Sequence, residues 1–276
     1  MKFVARAALV LSLALPAAWA LDDATRVALE GVVSGSQRSA PHRARDVYRH
    51  PVQTLLFFGI RPDMTVVELY PGGEGWYTEI LAPLLHDHGT FYAAGYDPSS
   101  TEAYYQKNAK AFADKLAADP RSYEHVKTTV LAPPGQVDIA PAGSADMVLT
   151  FRNIHNWMND GQAETVFAAA FRALKPGGIF GVEEHRGNPA VAQDPKAESG
   201  YVNEDYVIKL AKDAGFELVA RSEINANPDD TKNYPGGVWD LPPTLRGGDV
   251  DRAKYLAIGE SDRMTLKFAK PAAAAK

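Results

Sequence analysis

The sequence predicts an α/β protein built on a mostly parallel sheet with helices on both faces. Three observations carry that expectation. From Thr65 onward, short β-rich apolar segments alternate with segments of helical periodicity. A glycine-rich bend, Pro71-Gly72-Gly73-Glu74-Gly75, joins the first strand of this series to its first helix. Later, Lys175-Pro176-Gly177-Gly178 separates a helix from the strand that follows it, with proline setting the turn and glycine supplying positive φ. Repeated βα units of this length connect parallel strands through helices.

The chain opens with Lys2 and Arg6, an apolar run from Ala7 to Leu15, Pro16, and the small-residue pattern Ala18-Trp19-Ala20. That is the layout of a secretory signal peptide over 1–20, cleaved after Ala20, which implies an exported, periplasmic protein. The apolar run is shorter than the roughly 20 residues that span a bilayer, and no later segment is long and apolar enough to do so. Residues 21–61 read as a broken helical cap or arm with a basic middle (Arg38, His42, Arg43, Arg45, Arg49, His50). Short ion pairs account for that cluster better than nucleic acid does, because Asp46 sits among the bases.

The main domain spans 62–270. Strands are expected at 65–69, 90–94, 126–131, 146–151, 179–183, 216–222 and 264–269. Helices are expected around Ile80–Leu85, Tyr105–Leu116, Gly161–Leu174 and Tyr206–Ala211. The stretch 225–262 is rich in Pro, Gly, Asn and Asp and reads as a long loop over the active site. Residues 271–276 read as a disordered tail.

Composition narrows the function. Without the leader's two bases the chain carries 27 Lys and Arg against 34 Asp and Glu, a net charge of −7 that argues against a nucleic-acid partner. A hydrophobic content of 46% over the 276 residues is ordinary for a globular protein, and the part after the leader is long enough for one large core. There is no cysteine, so disulfides, thiol catalysis and thiolate metal sites are excluded.

The chemistry gathers at Val67-Glu68-Leu69-Tyr70-Pro71-Gly72-Gly73-Glu74-Gly75-Trp76-Tyr77-Thr78, a strand, a bend and a helix start. Glycines there let backbone approach a ligand, and free N–H groups suit a carboxylate or phosphate. Gly73-Glu74-Gly75-Trp76-Tyr77-Thr78 ends in threonine, so the dinucleotide fingerprint is incomplete, and the Gly-Lys-Ser/Thr of a phosphate loop is absent.

Together with Asp97-Pro98, Asp146-Met147-Val148 and Leu174-Lys175-Pro176-Gly177-Gly178, this run resembles class I S-adenosylmethionine-dependent methyltransferases from about Pro62 to Ser222. Arg263 to Pro271 resembles the closing strand of the same fold. Arg45-Asp46, Gly75-Trp76-Tyr77-Thr78, Asn227-Pro228-Asp229-Asp230 and Asp262-Arg263 are similar to a group of exported predicted bacterial methyltransferases. The resemblance implies a Rossmann-like methyltransferase fold, with a seven-stranded sheet, an antiparallel last strand, and S-adenosyl-L-methionine as cofactor. It places Glu68, Tyr70, Gly72, Gly73 and Gly75 at the methionine part and Asp97 at the ribose. Tyr70 stands where the family has glycine, and Gly95 stands where many relatives carry the ribose acid, so Asp97 serves equally well as a turn residue.

Arg152-Asn153-Ile154-His155-Asn156-Trp157 follows the fourth strand and Glu183-Glu184-His185-Arg186 the fifth, both on the carboxyl side of the sheet. His155, Glu183 and His185 are the candidate catalytic residues, His155 foremost because an imidazole titrates near neutrality. Packing of a turn and a self-paired charged edge are the alternative roles. Metal is not expected, because these residues lack the spacing that sets two imidazoles on one helix face. The expected function is methyl transfer to a small-molecule substrate; a non-catalytic small-molecule-binding protein that kept the fold is the alternative. Export predicts that the mature protein begins at Leu21. Intact-mass measurement of the periplasmic fraction checks this, and retention of Met1 or Lys2 would contradict it.

Overall fold

The computed structural model describes residues 17–272. Residues 1–16 of the expected leader and 273–276 of the expected tail lie outside the described residues. Four helices precede the first strand: α1 (Ala17–Ser34), α2 (Ala40–Arg43), α3 (Asp46–Arg49) and α4 (Pro51–Phe58). The βα series follows as β1 (Thr65–Leu69), α5 (Thr78–Leu85), β2 (Thr90–Gly95), α6 (Ala103–Ala118), α7 (Pro120–Tyr123), β3 (Lys127–Val130) and β4 (Ala145–Phe151). Then come α8 (Ile154–Asn159), α9 (Ala163–Ala173), β5 (Leu174–His185), α10 (Glu204–Asp213), β6 (Glu217–Ser222), α11 (Arg252–Ile258) and β7 (Arg263–Ala269). Among the described residues no helix is long and apolar enough to cross a membrane.

The seven strands form one sheet in the order β3-β2-β1-β4-β5-β7-β6, parallel except for β7, which runs antiparallel to both neighbours. Central strands are covered on both faces, and accordingly β1 and β4 are buried at all but one position each. The edge strand β6 alternates exposed and half-buried residues, as a strand covered on one face must. One core joins the sheet to α8, α9 and α10 through Trp157, Phe167, Phe180 and Phe216. The other joins the opposite face to α1, α4, α5 and α6 through Leu29, Phe58, Ile80 and Phe112. Phe58 lies so close to β5 that a Cβ at Gly181 would stand 2.8 Å from its ring, so glycine there lets α4 dock.

Three differences from the sequence reading have physical causes. The strand β5 begins at Leu174 rather than Ile179: Gly177, at φ +80, bulges while its N–H still bonds Lys270 O at 2.8 Å, so the turn residues stay paired. Helix α8 replaces an expected loop because the Glu184 carboxylate on β5 accepts from the N–H groups of Ile154, at 2.5 Å, and His155, at 3.4 Å, capping the helix from a distant strand. The 225–262 stretch holds a 3₁₀ turn (Gly237–Asp240) and α11, and packs a small core of Tyr201, Tyr234, Val238, Leu241 and Tyr255.

Most bases of the N-terminal segment meet carboxylates, while Arg43 donates to Arg38 O and His50 bonds Asn225 at 3.3 Å. Arg38 grips Asp46 with two hydrogen bonds, at 2.7 and 2.8 Å, and His42 bonds buried Glu79 on α5 at 2.9 Å. Arg45 and Arg49 reach Glu260, at 2.5 and 3.4 Å, and Arg263 of β7 bonds the same carboxylate. Glu260 is 2% exposed; burial alone would raise its pKa, but Arg263, Arg49 and Arg45 override this and hold it well below the usual range. A depressed carboxyl contributes stability above its unfolded value, about 4.3, that is lost as pH falls through the folded value. Glu260→Gln leaves three guanidinium groups without their shared partner and is expected to cost about 3–5 kcal/mol in urea unfolding at neutral pH, and less as pH is lowered. A cost below about 1 kcal/mol, typical of an exposed pair, would contradict it.

Candidate active site

From β1 the chain moves outward to β2 and β3, then returns to the other side of β1 as β4. Ligands of open parallel sheets bind at such a reversal, beyond the carboxyl ends of the strands. A crevice of about 320 Å³ opens there. Tyr70 and Gly72 reach it from the bend after β1, and Arg152, Asn153 and His155 from the residues after β4. His185 and Arg263 line it from β5 and β7, Arg45 and Arg49 from around α3, and Trp239 and Pro242 from the long 225–262 segment.

The bend uses its glycines in two directions. Gly72 has φ +70, lines the crevice, and has nothing within 4 Å of the place its Cβ would take. Gly73 and Gly75 face α6 instead: a Cβ on Gly73 would stand 2.9 Å from Ala111, and one on Gly75 3.1 Å from Phe112. The Gly73 N–H is also taken, by Asn108 Oδ1 at 3.0 Å. The expectation that Gly73 and Gly75 border the cofactor is therefore corrected: Gly72 borders the crevice, and Gly73 and Gly75 let α6 close on the bend. Glu68, expected at the cofactor, is buried beneath the bend and accepts from Thr78 Oγ1 at 2.7 Å, tying the end of β1 to the start of α5. Burial lifts its carboxyl to about 7, against the opposing effects of Thr78 and Arg152.

Tyr70 adopts the left-handed conformation, φ 47, that glycine would take without cost. Its hydroxyl donates to Leu131 O at 2.8 Å and its ring lies 4.3 Å from that of Tyr96, so it forms a wall of the crevice. Tyr96 in turn stacks on Tyr105 at 5.0 Å. Beside the crevice these rings enclose a slot of about 150 Å³ with Tyr104, Asn156, Asn159 and Asp160. Asp97, the expected ribose contact, turns back on its own loop: one oxygen accepts from Ser99 N at 2.8 Å and Ser99 Oγ at 2.7 Å, the other from Gln136 at 3.2 Å. It borders neither cavity, and its place is that of a turn residue.

On the opposite wall His155 Nδ1 lies 3.0 Å from Glu184 Oε1. Glu184 is fully buried and also accepts from the N–H groups of Ile154 and His185, so it acts as acceptor to the imidazole Nδ1–H and fixes the orientation of the ring. His185 bonds Ser261 Oγ through Nδ1 at 2.5 Å, with its ring 5.4 Å from that of His155. Burial, then the charges of His155, Arg263, Arg152 and Arg49, push the His185 pKa well below the usual value and keep it neutral. Glu183 is corrected as a catalytic candidate: it is fully buried, one oxygen bonded by Arg152 at 2.6 Å and the other by the Tyr77 hydroxyl at 3.0 Å. The acid that matters to His155 is Glu184, its neighbour, which faces the other side of β5.

His155, Glu184 and His185 offer ligand atoms within 4.8 Å of one another, close enough to share a metal ion. Both Glu184 oxygens, however, are already held by N–H donors, and Arg152, Arg263 and Arg49 make the surrounding field positive. That environment opposes a bound cation. The arginines are what sequence reasoning missed here: Arg45, Arg152 and Arg263 stood in the runs singled out, but nothing local shows that they converge.

No protein-family model matches the chain, and no curated protein sequence does. Solved structures do match. A SAM-dependent methyltransferase from Aquifex aeolicus aligns over 82% of this chain and 93% of its own, with TM-score 0.53 and 14% identity. One from Methanosarcina mazei covers 79% of this chain and 98% of its own, with TM-score 0.51 and 12% identity. The [4+2]-cyclase SpnF covers 87% and 86%, with TM-score 0.56 and 14% identity. The chain thus has the class I methyltransferase fold. The presence of a cyclase among the neighbours shows that the fold by itself does not select the reaction.

Glu68 supplies a test of the bend. Its folded pKa of about 7 exceeds the ordinary 4.5, so its contribution is fully present below the ordinary value and is lost as pH rises through 7. Glu68→Gln, neutral at every pH, is expected to raise the thermal midpoint at pH 8 and to change it little at pH 5. A lower midpoint at pH 8 would show that the charged carboxylate is needed.

Proposed function

We propose that the chain is an exported S-adenosylmethionine-dependent methyltransferase whose acceptor is a small molecule held in the crevice. The observation that carries this is the meeting of an open glycine bend, an aromatic slot and an oriented histidine at the switch point of this fold. The residues suit the cofactor: Tyr104 and Tyr105 offer ring faces to a purine, Asn156 and Asp160 polar groups to its edge, and Gly72 an unobstructed approach for an amino-acid tail. When bound, S-adenosylmethionine supplies a methyl group on a sulfonium, ready for in-line displacement.

The chain's own part is alignment and proton removal. His155, held through Nδ1 by Glu184, accepts at Nε2 the proton of an acceptor hydroxyl or amine, and Glu184 stabilises the imidazolium that results. Neutral His185 fixes the neighbouring wall through Ser261. Trp239, its ring 6.0 Å from that of His155, belongs to the segment that covers the crevice and limits water. Tyr70 in a glycine position and Asp97 bonded to its own loop favour a second reading, a binding protein of this fold with an altered ligand.

Calorimetric titration of the mature chain with S-adenosylhomocysteine separates the two. Tyr104 is largely exposed, so Tyr104→Ala should fold normally and weaken binding by about 5- to 150-fold through loss of stacking worth about 1–3 kcal/mol. Absence of binding to the wild-type chain would favour the second reading. With any acceptor the wild type methylates, His155→Gln is expected to lower kcat by about 10²- to 10⁴-fold and leave S-adenosylhomocysteine affinity unchanged. Unchanged kcat would return His155 to a packing role.

A further inference from the structure

Four arginines, Arg45, Arg49, Arg152 and Arg263, line the crevice. Two buried carboxylates touch them: Glu260 meets Arg45, Arg49 and Arg263, and Glu183 meets Arg152 at 2.6 Å and Arg263 at 3.7 Å. Even with Glu184 counted as a third negative charge and Glu68, whose carboxyl burial lifts to about 7, as a partial one, the cluster keeps a net positive charge. The field left over at the crevice is cationic.

The donors are also unspent. Arg45, Arg49 and Arg152 each bond a protein side chain through a single nitrogen. In this cluster Arg263 Nε is both sealed from solvent and without a partner, whereas the side chains of Arg45, Arg49 and Arg152 keep 23, 5 and 15% exposure at the crevice. Their positions are prepared in advance. The Arg49 guanidinium lies 4.6 Å over the Trp76 ring. Arg152 is held at φ 61, a conformation that costs a non-glycine residue on the order of 1–3 kcal/mol, with its N–H bonded to Glu183 O at 2.7 Å. Burial, and then the charge of Arg152, push the Arg49 pKa well down against the opposing pull of Glu260.

We propose that this crevice recognises an oxyanion: the acceptor carries a carboxylate or phosphate gripped by Arg45, Arg49 and Arg152, which brings another part of the same molecule beside His155. Guanidinium forks match both groups in geometry. The assignment of the anion to the acceptor rests on the function proposed above; the existence of the anion site does not.

The test uses the mature chain without cofactor. Thermal midpoints are measured across titrations of inorganic phosphate and of succinate, each against sodium chloride at matched ionic strength. A saturable rise beyond the chloride control is expected for one of the two, and which one identifies the group. Arg45→Gln leaves Glu260 paired with Arg49 and Arg263, so it should fold, and it should weaken the effective anion roughly 10- to 100-fold. Arg152→Gln should do the same. No rise with either anion, or a rise that both variants retain, overturns the proposal. Repeating the titration in saturating S-adenosylhomocysteine tests the role: persistence of the anion effect supports an acceptor site, and its abolition overturns that role by assigning the arginines to the cofactor's own carboxylate. S-adenosylhomocysteine binding without an anion effect would defeat this proposal alone, whereas an anion effect without S-adenosylhomocysteine binding would keep the anion site and defeat the methyltransferase reading.

Discussion

The carboxylate of Glu260 is the point on which the crevice depends. It joins Arg45 and Arg49, from the helices before the sheet, to Arg263 in the last strand, across a separation of 215 residues from Arg45. Three guanidinium groups could not be buried side by side without it, because their mutual repulsion adds to the cost of leaving water. With it they form one wall. Glu183 makes the equivalent link on the other side, joining Arg152 and Arg263 and holding the Tyr77 hydroxyl. The crevice is therefore walled by charged groups whose positions are set by two buried acids.

The same economy governs the histidine wall. Glu184 caps α8, receives the His185 N–H and orients His155, so a single carboxylate determines a helix start and an imidazole tautomer together. Successive residues of β5 point to opposite faces, which is why Glu183 and Glu184 serve different walls. The left-handed Tyr70 and Arg152 sit at the ends of β1 and β4, on either side of the switch point. Strain at such positions persists only where packing over-determines it, and here Tyr70 is fixed by Leu131 and Tyr96 and Arg152 by Glu183.

Much of the fold was legible because it rests on local pattern. The seven strands fall within a few residues of the expected segments, except that β5 begins five residues early because Gly177 bulges instead of ending the pairing. The crevice was legible only in outline. That His155 and His185 would share it follows from their places after β4 and β5, and Gly72 from its place in the bend. Glu68, Gly73 and Glu183 were of the right type at the right place in the chain, yet each is turned toward protein by a partner that local reading does not reveal, Thr78, Asn108 and Tyr77, whereas Asp97 takes the turn role its sequence left open, bonded by Ser99 two residues on.

What the sequence by itself determined is the alternation of strand and helix, the carboxyl edge on which a site must lie, and the set of residue types available to it. Periodicity and turn chemistry act over a few residues, and those suffice for such features. Only the tertiary structure decided which side chains face the crevice. Arg45, Arg152 and Arg263 come from three distant segments and meet because two carboxylates bind them together. The 225–262 stretch lines the crevice because the small core it shares with Tyr201 and the bonds of Asn227 to Ile258 and Glu260 fold it back against the strands. Charge pairing across two hundred residues has no local signature, and it set the polarity of the site.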